Sequence, residues 1–481
     1  MDWVASLQAT MPELVLSVGG MALMLVAAWG GQSSTRAVSW TAVAVLLGAG
    51  ISLAGPASYA GSVFDGLYRA DAFAAFAKAL IYLAAAVSII IAPRFFERGD
   101  GDSLHPEYPV LILLAAAGMG MMVSAGDLLT LYVGLELNSL ASYVLAAFMR
   151  RDQRSAEAGL KYFILGALAS GILLYGISLV YGFSGTTLFT DIATAYGAGK
   201  SLGLTFGLVF VFAGLAFKMS AVPFHMWTPD VYEGAPTPVT TFFASAPKVA
   251  AVALGVRVAI EAMGPAVAEW RQIVIFASLA SIIFGAVAAI GQKNIKRLMA
   301  YSSINNVGFM LVGLAAGTAE GVASVLIYLA IYLAMTVGAL LIVLQMRDEN
   351  DEPVEAIDAM AGMSQTRPGL AAAMAIFMFS LAGIPPLLGF FAKLAVFRAA
   401  VDAGLYPLAV AGFVASVIGA YYYLRVIKVM YFDDAAPAFR RSNAIVEYVL
   451  IGAMAVFISP VGWLALKPLG LWTAAAAKAL F

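Results

Sequence analysis

Apolar residues fill this chain in long uninterrupted blocks, separated by short polar segments. About fourteen blocks can span a bilayer as α-helices, each roughly 17–25 residues. They cover 12–28, 37–54, 72–92, 108–125, 128–149, 158–183, 202–228, 239–263, 273–290, 298–315, 321–345, 369–402, 405–432 and 444–466. The block 369–402 is too long for one straight helix. At 1.5 Å per residue it would exceed a hydrocarbon core of roughly 30 Å by a wide margin. Its stretch SLAGIPPLLGFFAKL contains Pro385 and Pro386. Proline removes a backbone donor and breaks a helix. Pro223, in MSAVPFHMW, does the same in the block 202–228. A lysine stands near each break, Lys218 before Pro223 and Lys393 after Pro386. The breaks are five spans apart, so their helices run in opposite directions. That is the mark of an inverted-topology repeat, in which broken helices line an ion path. The pattern predicts an all-α polytopic membrane protein with two inverted five-helix repeats, each holding one broken helix. Residues 1–107 supply three leading spans, 108–264 the first repeat, 265–432 the second, and 433–481 a last span and tail.

Composition agrees. The chain has 481 residues, 62% hydrophobic and 11% charged, where soluble domains run near 45–50% apolar and about 25% charged. Mean hydropathy is +0.91. A net charge of −1 gives no basic footprint for nucleic acid. There are no cysteines, which excludes disulfides, thiolate-bound iron–sulfur clusters and cysteine-ligated zinc. The N-terminus, MDWVASLQATMPE, lacks the basic region of a cleaved signal peptide, so the first block is expected to be retained. Basic loop residues such as Arg150, Arg151, Lys293, Lys296, Arg297, Arg440 and Arg441 gather on one side, Arg98 among them. Only Arg69, Lys200, Arg271, Lys467 and Lys478 lie on the other. The first side is expected to be cytoplasmic, which puts both termini outside.

Four ionisable groups lie deep in apolar blocks: Glu136, Lys218, Lys248 and Lys393. Each costs roughly 2.5–3.5 kcal/mol on insertion scales. Four cost about 10–14 kcal/mol, comparable with a whole protein's net stability of about 5–15 kcal/mol. Such groups mark ion or proton paths. Lys161, about one turn into its block, suits either a proton relay or an interfacial anchor. His225, just after Pro223, suits either a relay or a cap for freed carbonyls. Arg257, Arg398, Arg425 and Lys428, near helix ends, read as anchors, and His105 as a solvated loop residue. The string Gly197-Ala-Gly-Lys-Ser201 has Thr194 where a phosphate loop needs glycine, and no strand precedes it. Gly203 and Gly207 fit GxxxG and read as close helix packing. The acidic loop 347–358 reads as a solvated connector. No residue is assigned to a metal or cofactor.

Five stretches carry a family resemblance: LTLYVGLELNSLASYVLAAF, AGLKYFILGALASGILLYGISLVYG, FKMSAVPFHMWTPDVYEGAPTPVTTFFASAPKVA, KNIKRLMAYSSINNVGFML and AGIPPLLGFFAKL. They resemble the antiporter-like, proton-translocating subunits of respiratory NADH–quinone oxidoreductase (complex I), over about residues 108–431. The resemblance implies that Glu136 and Lys218 form the family's Glu–Lys pair, with Lys248 the connecting lysine and Lys393 the exit lysine. Lys393 departs from the glutamate of the M-type subunit. Only about fifteen residues follow the last block, where the L type carries a long lateral helix. The N type remains. It implies a subunit of a redox-driven translocase in a bacterial inner membrane, among other complex I membrane subunits and lipid. NADH, FMN, iron–sulfur clusters and quinone would be handled by other subunits, with no redox centre in this chain. A Glu–Lys pair at ~7 Å and an effective dielectric of ~20 is worth roughly 2.4 kcal/mol. Moving the carboxylate's charge would then switch Lys218 between holding and releasing a proton. Three other readings compete: a subunit of a multisubunit sodium/proton antiporter, which shares the fold, a quinone-binding redox subunit, and a passive scaffold. The buried lysines argue against the last.

Overall fold

In a bilayer every backbone N–H and C=O must find its partner inside the segment, so apolar blocks fold as helices. The computed structural model describes residues 3–55, 61–96, 104–199, 201–441 and 445–481. Arg98 and Lys200, counted above among the loop cations, lie outside them.

The helices in chain order begin with α1 (Trp3–Ala9), α2 (Met11–Gly30), α3 (Thr35–Ser52), α4 (Ala72–Phe96), α5 (Glu107–Ser124) and α6 (Leu128–Ala146). Then come α7 (Gln153–Ser184), α8 (Phe189–Ala198), α9 (Leu202–Met219), α10 (Trp227–Gly234), α11 (Thr237–Phe243) and α12 (Ala246–Arg257). The rest are α13 (Val267–Ile290), α14 (Ile295–Ala316), α15 (Ala319–Leu344), α16 (Met363–Thr366), α17 (Pro368–Ala382), α18 (Leu388–Asp402), α19 (Tyr406–Phe432), α20 (Ile445–Ile458) and α21 (Trp463–Lys478). One antiparallel hairpin, β1 (Gly61–Val63) with β2 (Tyr68–Ala70), precedes α4.

Eleven helical stretches are long and apolar enough to cross a membrane. The first, residues 11–52, is two spans, because α2 and α3 fold back on each other at Gly31–Ser34. The bent pair α20/α21 adds at most one more candidate span among the described residues, and α17 is a shorter apolar helix followed by α18.

The chain forms two compact units. One holds residues 1–219, 234–273 and 472–481, the other 220–233 and 274–471. In the first, α5 and the α11–α12 span are interior; in the second, α14 and α15 are almost wholly buried. Within the first unit α9 lies against α7, where a Cβ on Gly207 would stand 3.0 Å from Val180 N. The GxxxG string thus serves contact inside the chain. The GAGKS string begins inside the last turn of α8, with no strand leading into it.

Several boundaries differ from the sequence reading. Helix α7 starts five residues before its apolar block because Asp152 caps it, accepting from Arg154 N at 2.8 Å. Helix α9 ends at Met219, four residues before Pro223, because Ser220 takes a left-handed conformation (φ 64°). Gly383 (φ 87°) ends α17 in the same way. The block 239–263 is itself interrupted at Ala244 and Ser245, between α11 and α12. The last block bends by 66° at Pro460 and continues as helix to Lys478, where a tail was expected. The acidic loop is exposed at Glu349, Asn350 and Glu352, as a solvated connector should be, and is also held in place. Ile295 N donates to Glu355 O at 2.8 Å and Ile357 N to Lys293 O at 2.8 Å, which straps it to the start of α14.

The second interruption depends on close contact between its two halves. Gly389 N donates to Ser380 Oγ at 2.9 Å, and a Cβ on Gly389 would stand 2.0 Å from Ser380 O. Gly→Ala inside a helix ordinarily gains about 1 kcal/mol. Gly389→Ala is instead expected to lose about 1–3 kcal/mol through overpacking. Gly171→Ala, with nothing within 4 Å, is the control. Thermal melting of the purified protein should fall for the first and not for the second. Equal midpoints would mean that the contact relaxes at no cost.

Candidate functional site

A helix that stops inside a membrane leaves its last carbonyls without intrahelical partners. In the first unit the stop falls at Met219, and the ammonium of Lys248 donates to Met219 O at 2.9 Å. Lys248 lies in the first turn of α12, just past the Ser245 interruption, and is 1% exposed. Lys218 sits in the last turn of α9 and is also buried. Its Nζ donates to Ser139 Oγ at 2.7 Å, and Ser139 Oγ donates to Leu135 O at 2.6 Å. The rings of Tyr143 and Phe217 flank the ammonium at 5.9 and 5.8 Å.

Glu136 is on α6, three residues before Ser139, so both share a helix face. Its Oε1 accepts from Ser170 Oγ on α7. Glu136 is half-buried, and one hydroxyl separates the carboxylate's helix turn from Lys218. A short polar line results: Ser170, Glu136, Ser139, Lys218.

The second unit repeats the device. Helix α17 stops at Ala382, and the buried Lys393 donates to Ala382 O at 3.0 Å and to Ser416 Oγ at 3.1 Å. Its Nζ lies 4.6 Å from the Phe309 ring centre. In each unit, therefore, an ammonium meets the last carbonyl of the first half of an interrupted helix. That end carries the negative pole of the helix dipole. Pro223, Pro385 and Pro386 lie in the gaps, exposed. The same unit holds a buried neutral network that the sequence reading did not weigh. Tyr328 OH donates to Asn306 Oδ1 at 2.7 Å, Asn306 Nδ2 to Tyr423 OH at 3.2 Å, and Tyr423 OH lies 2.6 Å from Ser302 Oγ. The SSINN string in a helical block was its visible signal.

Other candidates fall elsewhere. Lys161 pairs with Glu157 one helical turn away at 2.7 Å, with the two side chains 41% and 56% exposed. It lies more than two turns into α7, since that helix starts early. His225 is half-buried, its ring 4.5 Å from Phe284, and its Nδ1 has no hydrogen-bond partner. His105 is exposed. Arg398 pairs with Asp402 at 3.6 Å on the surface, and Lys428 with Asp433. Arg425 donates to Ile290 O at 2.9 Å.

Arg257 is no interfacial anchor. It is wholly buried, with Nη2 donating to both Asp71 oxygens at 2.8 Å, Nη1 to Glu261 at 2.7 Å and Nε to Val123 O at 2.9 Å. Arg69 closes on Glu261 at 3.2 Å. A second buried pair escaped the sequence reading: Lys78 with Glu13 at 2.7 Å, bridged by Tyr68 OH at 2.6 Å to each. Both residues lie inside apolar blocks, which was the available signal. In the second unit Lys296 pairs with Glu355 at 3.0 Å, and Arg297 with Asp230 and Glu233 at 2.7 and 2.9 Å. Among the described residues no three His, Asp or Glu side chains converge where a metal ion could sit.

Residues 125–419 match the family model described as NADH:quinone oxidoreductase/Mrp antiporter, transmembrane. The chain is 65% identical over 482 residues to an NADH-quinone oxidoreductase subunit N of Rhizorhabdus wittichii, with 100% of each covered. It is similar to a chain in the structure of respiratory complex I from Thermus thermophilus with bound aureothin, at 31% identity and a TM-score of 0.81, covering 95% of this chain and 98% of that one. A chain of the Mrp complex from Dietzia sp. DQ12-45-1b shares the fold, at 21% identity and a TM-score of 0.82, covering 98% and 97%.

The Arg257 cluster sets an expectation about stability. Breaking a buried pair by removing one partner costs about 3–5 kcal/mol, because the other charge stays buried. Arg257→Met strands Asp71 and Glu261 with Arg69 alone, so yield and melting temperature of the purified protein should drop sharply. Arg398→Met, in an exposed pair, should leave both unchanged. Similar stability of the two variants would contradict the assignment of Arg257 as the charge that holds this cluster.

Proposed function

Because the chain belongs to the NADH:quinone oxidoreductase/Mrp antiporter transmembrane family, in its subunit N branch, we propose that Glu136, Lys218, Lys248 and Lys393 carry protons through it. The chain is an antiporter-like, proton-translocating membrane subunit of NADH–quinone oxidoreductase, and it works among the other membrane subunits of that complex. The Mrp-type antiporter reading shares the family model and a fold at 21% identity, against 65% identity to a subunit N relative.

One observation supports the proton path above the rest. The partners of Lys218 and Lys393 are neutral oxygens: Ser139 Oγ for the first, Ala382 O and Ser416 Oγ for the second. Three further buried cations, Lys78, Arg257 and Lys296, rest on carboxylates instead. A lysine that loses its proton beside a carboxylate strands a buried anion, at a cost of several kcal/mol. A lysine on a neutral oxygen gives up one charge-assisted hydrogen bond, about 1.5–3 kcal/mol. The second kind can exchange protons within a working cycle.

In this reading the Glu136 charge favours the charged form of Lys218, and withdrawing that charge lets the proton leave. Lys248 accepts it, and Lys393 releases it on the far side. Lys218 belongs to the half-path open to the cytoplasm and Lys393 to the half-path open to the outside. Lys161 and His225 could assist at the cytoplasmic mouth and at the first break. Redox chemistry with NADH, FMN, iron–sulfur clusters and quinone belongs to other subunits, and this chain contributes no redox centre. The site of action is a bacterial inner membrane, with both termini on the periplasmic side.

Lys218→Met keeps length and apolarity and removes the titrating group. The assembled complex should show sharply reduced proton translocation in reconstituted vesicles and slower coupled NADH–quinone turnover. Pumping at the normal rate would refute the assignment. At Glu136 the size of the defect should follow the charge. Glu136→Asp is expected to retain part of the activity and Glu136→Ala to lose most of it. If the alanine variant pumps as well as the aspartate variant, the charge switch is wrong.

A further inference from the structure

A cleft of about 550 Å³ opens at the N-terminal end of α17, against α20. Arg367, Arg441 and Tyr448 line its polar part, and Leu370, Ala373 and Ile451 its apolar part. Arg367 is 9% exposed. Its Nη1 donates to Arg440 O at 3.3 Å and its Nη2 to Tyr448 OH at 3.0 Å. Both acceptors are neutral. A guanidinium has five N–H donors, so three remain. Among the described residues no carboxylate lines the cleft. Among the described residues neither Arg367 nor Arg441 forms an ion pair, Glu447 at the start of α20 included. Asp351, in the neighbouring turn, is engaged by Arg347 at 3.5 Å and Arg440 at 3.8 Å. A buried cation without a counter-ion is expensive. The first turn of α17 adds unpaired backbone N–H groups and the positive pole of its dipole. The cleft therefore calls for an anion.

Its apolar wall says which kind. Leu370 and Ala373 are three residues apart on α17 and share a face. With Ile451 they continue the cleft along two membrane helices, away from the arginines. A small free anion would leave this wall bare. A phospholipid would cover it while its phosphate met the arginines, and basic pockets at the ends of membrane helices bind such headgroups. We propose that this cleft is a binding site for an anionic phospholipid, with the phosphate on Arg367 and Arg441 and an acyl chain along Leu370, Ala373 and Ile451. The site is independent of the proton path and stands or falls apart from it.

The test uses the assembled complex. It is delipidated in mild detergent, returned to nanodiscs of equal phosphatidylglycerol and phosphatidylcholine, and extracted again. Native mass spectrometry then counts lipids held by the released chain. Arg367 also ties Arg440 and Tyr448, so its loss could unsettle folding. Arg441→Gln and Gly452→Phe avoid that. Arg441 is exposed, and a Cβ on Gly452, which also lines the cleft, meets nothing within 4 Å. The native chain should retain phosphatidylglycerol in preference to phosphatidylcholine, and inorganic phosphate should not displace it. Arg441→Gln should lower retention about five-fold, the contribution of one basic side chain. Gly452→Phe should lower it too, by filling the acyl lane. Native-level retention in both variants would overturn the proposal. So would equal retention of the two lipids, or displacement by inorganic phosphate.

Discussion

A helix that ends inside a bilayer must find partners for its last carbonyls, and this chain meets that constraint with lysine. Met219 O receives Lys248 and Ala382 O receives Lys393. The arrangement answers two problems together. The freed carbonyl gains a donor, and the ammonium gains the negative end of a helix dipole. The magnitudes show that this is not sufficient. A cation at a helix C-terminus gains about 0.3–1 kcal/mol, up to about 2 in partly buried geometry, against roughly 2.5–3.5 kcal/mol for placing it at mid-membrane. Hydroxyls and rings supply the remainder: Ser416 and the Phe309 ring at Lys393, Ser139 with the Tyr143 ring at Lys218. Among the described residues no carboxylate pairs with Lys218 or Lys393, so either can become neutral without leaving a paired anion behind.

The chain also shows the opposite solution. Lys78 with Glu13, Arg257 with Asp71 and Glu261, and Lys296 with Glu355 are closed pairs at 3.0 Å or less. They fasten helix ends, the hairpin strand β2 and the acidic loop. Burial is common to both sets. For the lysines Lys78 and Lys296 on one side and Lys218 and Lys393 on the other, the charge of the nearest partner separates a fastening from a candidate proton carrier.

Much of this was legible in the sequence. Lysines and a glutamate deep in apolar blocks, beside prolines, gave the interrupted helices and the four candidate residues. Other features were not visible for physical reasons. Proline marked the neighbourhood of the first stop, but a left-handed Ser220 sets its position, and serine does not announce that conformation. The Ser245 interruption did have a signal in Pro247, which suits the first turn of a helix and cannot continue one from before it. Arg257 looked like an anchor because its position near a helix end says nothing about which neighbour faces it. Its partner Asp71 is 186 residues away. Glu13 and Lys78 were passed over for the same reason.

In the proposed proton path the two interruptions open to opposite faces of the membrane. The chain has no cysteine of its own, so a single cysteine reports without background from this subunit. Val222→Cys and Ile384→Cys place one thiol in each gap. Labelling by a membrane-impermeant thiol reagent, in right-side-out and inside-out vesicles, measures which face reaches each gap. On the two-sided path Val222→Cys should react from the cytoplasmic face and Ile384→Cys from the outer face. Reaction of both from the same face would contradict it.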